Sequence, residues 1–134
     1  MGDRALVIFV SKDRSEVSPV VYSHWQGESI PQFIEDLKVY MGERKDDVQY
    51  ATARFIGLLH ASVDDSPLGL GVWNTPDNIK EAAKNLELIS SINTLEEYSH
   101  GDAGVIIVKA FDFSWRAFGG YLKDVANDDG GKAA

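Results

Sequence analysis

The chain contains no cysteine, which excludes disulfides, thiol nucleophiles, zinc–thiolate sites and iron–sulfur clusters. Long hydrophobic runs are also missing. Ala5–Val10 is far too short to cross a bilayer, and it is followed by Lys12, Asp13 and Arg14 instead of a small-residue cleavage site. A myristoylation start is excluded because position 6 is Leu6 where Ser or Thr is required. A cytoplasmic location away from membranes is the expectation. Positive charge is scarce, with 13 Lys and Arg against 21 Asp and Glu for a net charge of −8. Such a surface repels phosphate backbones, and no basic stripe interleaved with aromatics reverses the effect, so direct nucleic-acid binding is not expected.

What remains is the composition of one ordinary domain: 134 residues, 44% hydrophobic and 25% charged, enough to build a core without staples. Ala5–Val10 and Val105–Val108 are apolar without alternation, the pattern of central strands covered on both faces. The polar cluster Ser11–Glu16 separates the first of these from Val17–Trp25, suggesting a hairpin with Pro19 near a strand start or on an edge. Phe113–Ala117 pairs with Val105–Val108 across a turn at Ala110–Asp112, and Leu68–Asn74 is a short strand whose glycines suggest tight packing on one side.

Three helices are expected. The first opens on Ser29 and Pro31, with Gln32 completing a capping box, buries a stripe from Ile30 to Met41 and stops at Gly42. A second begins at Asp46 or Asp47 and buries Val48, Thr52, Phe55 and Leu59; Gly57 within it suggests a close approach by a neighbour. The third opens on Thr75-Pro76-Asp77 and buries Ile79, Ala82, Ala83 and Leu86, and Thr94–Glu97 reads as the capping box of one short further turn. Asp64–Pro67 is a break, and 127–134 is expected to be a disordered tail. The fold class is therefore a single α+β domain over residues 1–126: an antiparallel or mixed sheet of about five strands with three main helices packed on it.

Signatures of chemistry are sparse. No Gly-x-Ser-x-Gly elbow or phosphate loop is present, no His pair has helical metal-site spacing, and the acid pairs lack calcium-loop spacing; neither metal nor cofactor is expected. Of the histidines, which titrate near neutrality, His24 shares a strand face with Val20 and Tyr22, His60 suits a helix C-terminal cap, and His100 suits a turn before Gly101. Arg54 sits in an otherwise apolar helix, so its guanidinium must snorkel outward or meet an anion. Trp25, Trp73 and Trp115 each lie near a strand terminus beside a polar residue, and with Tyr22 and Asn74 they form the candidate binding set.

Three functional expectations follow. The leading one is a non-catalytic interaction protein that binds a protein partner or itself through aromatics near strand ends. The second is a metal-free enzyme with His24 or His60 as base and Arg54 holding an anionic substrate, which requires imidazole and guanidinium in one pocket. The third is an acidic inhibitor from a mobile element that imitates nucleic acid.

Overall fold

The computed structural model describes residues 2–62 and 69–125. The expected break at Asp64–Pro67 and the tail at 127–134 lie outside these residues. Five strands, β1 (Ala5–Val10), β2 (Val20–Ser23), β3 (Leu70–Trp73), β4 (Gly104–Lys109) and β5 (Trp115–Phe118), form one mixed sheet in the order β3-β2-β1-β4-β5. Only β1 and β4 run parallel, in register from Ala5↔Gly104 to Val10↔Lys109; every other pair is antiparallel. This is the α+β domain anticipated from the sequence.

The unbroken apolar character of β1 and β4 has a direct cause, since helices cover both faces of the sheet. Ala5, Val7 and Phe9 face one core layer, completed by α1 (Ile30–Met41) and α2 (Val48–Ala61). Leu6, Ile8 and Val10 face a second layer, completed by α3 (Asp77–Lys84) and α4 (Ile89–Tyr98). Short 3₁₀ turns at Gly27–Ser29 and Tyr121–Asp124 join the elements at one end of the sheet.

Several local expectations are corrected. The capping box at Ser29 does not form, because the 3₁₀ turn holds Ser29 in a helical conformation and Gln32 bonds Asp36 instead. Thr75 gives up its capping role to bond the Ser18 carbonyl at 2.7 Å, tying the start of α3 to the β1–β2 hairpin. Thr94 does not open a separate turn; its hydroxyl bonds back to the Ser90 carbonyl in the middle of α4, a ten-residue helix. Gly57 has nothing among the described residues within 4 Å of where a Cβ would stand, so none of them makes the expected close approach. Asp47, by contrast, caps α2 as expected, accepting from the Tyr50 amide.

Candidate functional site

The end of the sheet at the start of β1 and the close of β2 gathers most of the polar and aromatic side chains singled out by the sequence. Strand alternation sends Tyr22 to the α3/α4 face, and its hydroxyl meets His24 Nδ1 at 2.6 Å. Tyr22 also contacts the rings of Trp73 at 5.6 Å and His100 at 6.1 Å between centroids. Trp25 packs edge-on against His24 at 4.3 Å, and Trp73 donates its indole N–H to the Tyr98 hydroxyl. Trp25 is 52% exposed and Trp73 38% exposed, so the two tryptophans flank a shared, solvent-facing patch.

A polar frame holds this patch in place. Arg4 Nε donates to Asp102 at 2.9 Å, the Arg4 amide donates to the same carboxylate oxygen, and a terminal guanidinium nitrogen reaches the His100 carbonyl. Asp3 accepts from the Tyr121 hydroxyl at 2.6 Å and from the Glu28 amide at 2.8 Å. Hydrogen bonding to Arg4, aided by its charge, holds the Asp102 carboxyl below the usual carboxylate range. Burial and the bond to Asp3 push the Tyr121 phenol upward.

The Asp102 shift fixes a sign. A carboxylate whose ionised form is favoured by folding stabilises the fold above its ordinary value of 3.8 and loses that contribution as pH falls through the lowered one. Asp102→Asn should therefore be less stable than the native chain at pH 7, with the gap closing as both are taken below pH 3.8. Asp102 has φ +48, a conformation asparagine tolerates, so the backbone is retained. Urea denaturation at several pH values checks this; a gap independent of pH rules out the ion pair as its source.

The remaining candidates lie elsewhere. Trp115 is only 2% exposed and packs within the α1/α2 core layer, so it is a core residue and leaves the binding set. Strand alternation turned it inward, and its buried indole N–H has no hydrogen-bond partner among the described residues. Asn74 is exposed directly after Trp73. His60 is exposed on the last turn of α2 but does not cap it: the Leu59 carbonyl accepts from the Ser62 hydroxyl and from Gln26 Nε2. Arg54 snorkels, donating to the Tyr40 carbonyl and the Tyr50 hydroxyl, with its guanidinium over the Tyr50 ring.

No protein-family model, curated protein or solved structure matches the chain.

The chemical capacity of the patch follows from its own contacts. Arg54 belongs to α2 on one face of the sheet, whereas His24 stands with Tyr22 on the other, so the guanidinium is not brought together with the His24 imidazole. One ring nitrogen of His24 is hydrogen-bonded. Tyr22 engages Nδ1, and Nε2 faces Gly2 so closely that a Cβ there would stand 2.8 Å away. Arg4 and Asp102, which sequence reasoning missed, are the charged pair nearest the patch; they lie 98 positions apart, and only the parallel β1–β4 register brings them together.

Proposed function

We propose that this protein is a non-catalytic binding module that self-associates through β3 and the aromatic patch beside it. The observation that carries this reading is the character of β3 as an edge strand. Proteins ordinarily blunt such edges with charge, proline or a bulge, because unpaired backbone groups recruit another strand. Leu70-Gly71-Val72-Trp73 has no charge and no proline, and it presents Val72 at 51% exposure beside Trp73.

A second copy suits this edge for an electrostatic reason. Like charges placed opposite one another destabilise a strand pair, and a chain of net charge −8 repels its own copies at most surfaces. β3 is an uncharged segment on which two copies pair antiparallel about a two-fold axis. Trp25 and Trp73 supply the large, rigid contact area that hot spots favour. The hydrogen bond between the Tyr22 hydroxyl and His24 Nδ1 supports a structural role for that imidazole.

Sedimentation velocity from about 10 μM to about 500 μM should show a monomer–dimer equilibrium, a range that suits a contact of modest area. Val72→Lys places a charge at the middle of the edge without entering the core and should leave a monomer with unchanged circular dichroism. A native chain that stays monomeric throughout, or a dimer indifferent to Val72→Lys, overturns the reading.

A further inference from the structure

The opposite end of the sheet holds a cleft of about 530 Å³ whose charge contradicts that of the chain as a whole. Five cations line it: Lys12, Arg14, Lys84, Lys109 and Arg116. Among the described lining residues the acids are Glu87 and Asp112, so the lining carries net +3 in a chain of net −8, which leaves −11 for all other residues. Five of the chain's 13 basic residues thus border one hollow. From this concentration we infer that the cleft is a binding site for a small organic phosphate, a ligand with at least two negative charges and an apolar body.

The topology makes a crevice at this position. After β1 the chain turns toward β2, and after β4 it turns toward β5 on the other side, so the two connections diverge at the carboxyl ends of the adjacent parallel strands. In open sheets this divergence is where ligands lodge. Its floor is apolar, formed by Val10, Ile107 and Leu86, and Phe111 stands exposed at its mouth.

The loops around the crevice are fastened into shape before any ligand arrives. The Lys12 amide donates to Asp46 at 2.7 Å, the Asp46 amide to the Ala110 carbonyl, and the Ala110 amide to the Val10 carbonyl. Three of the four non-glycine residues at positive φ among the described residues lie on these loops: Arg14 at 66°, Asp46 at 61° and Phe113 at 65°. Such backbone is unfavourable at a non-glycine residue and persists only where its surroundings impose it. Phe113 is held by burial in the α1/α2 core layer and by donating its amide to Lys109 at 2.7 Å.

The cations are under-compensated. Arg14 pairs with Glu87 at 3.3 Å with both side chains more than half exposed, and Lys84 stands 4.0 Å from Glu81. Lys12, Lys109 and Arg116 make no ion pair among the described residues; Lys12 rests its ammonium over the Phe111 ring at 4.1 Å. A single carboxylate would neutralise one of these charges, whereas a phosphate ester spans two or three. An extended nucleic acid would bring most of its charge against the surrounding acidic surface. The volume also suits a ligand of nucleotide size or smaller.

The test is an amide-resolved NMR titration of the whole chain with phenyl phosphate and with adenosine monophosphate at low salt. Saturable shifts centred on Lys12, Lys109, Phe111 and Arg116 are expected, weakening as salt rises. The double variant Lys12→Glu, Lys109→Glu alters two exposed side chains and should weaken binding at least about tenfold while leaving the spectrum folded. Absence of saturation at about 10 mM ligand, shifts centred elsewhere, binding indifferent to the double variant, or preferential binding of a DNA duplex would each overturn the inference. Val72→Lys, at the other site, should leave the titration unchanged, so the two proposals fail separately.

Discussion

Gly104→Ala should be strongly disruptive, with a loss of at least about 3 kcal/mol or outright failure to fold. Two independent costs coincide there. Gly104 opens β4 at φ +104, a region that L side chains rarely adopt, and a Cβ would stand 2.5 Å from the Phe118 carbonyl oxygen and 3.0 Å from the Gly120 amide. Both obstacles are backbone atoms of the segment that closes β5, so no rotamer change relieves them. Relief would require β4 and β5 to separate at the Val105↔Phe118 pair, the point where the aromatic end of the sheet is anchored. Urea denaturation with circular dichroism is the measurement, and a variant within about 0.5 kcal/mol of the native chain would show that the close approach is not a constraint.

Phe55→Ala is expected to cost about 3–5 kcal/mol, a large share of the 5–15 kcal/mol typical of a whole domain. Phe55 has no exposed surface and meets Phe9 edge to face, with ring centroids 5.4 Å apart. It joins α2 to β1 at the centre of one core layer. Truncation removes the transfer free energy of the ring and leaves a hole that rigid strands on one side and α1 on the other cannot close. Phe55→Leu retains most of the volume and should cost clearly less in the same denaturation experiment. Equal losses for the two variants would indicate that cavity size is not the governing term.

Some of this arrangement was legible in the residues. Ala5–Val10 and Val105–Val108 read as doubly covered strands because every position is apolar, and each is buried on both faces. The α2 stripe of Val48, Thr52, Phe55 and Leu59 is buried for the same reason of period. Caps were read less well. Ser29, Thr75 and Thr94 carry hydroxyls that suit a helix start, but a hydroxyl takes the nearest carbonyl or amide the fold presents, and for Thr75 that partner is 57 positions away. The candidate patch was half visible: Tyr22, His24, Trp25 and Trp73 were named from strand ends, whereas Trp115 met the same description and lies in the core.

The sequence by itself determined the class of the fold, its two buried strands and its freedom from sulfur chemistry, because these follow from composition and from periods of two and three to four residues. Which ends of the strands adjoin was decided by the tertiary structure. The parallel pairing of β1 with β4 sets Arg4 beside Asp102 at one end and Lys12 near Lys109 at the other, pairings across about a hundred positions that carry no local signal. Net charge and periodicity are sums along the chain, blind to where in space the minority charges meet. The concentration of positive charge in an acidic protein therefore emerges only once the sheet is assembled.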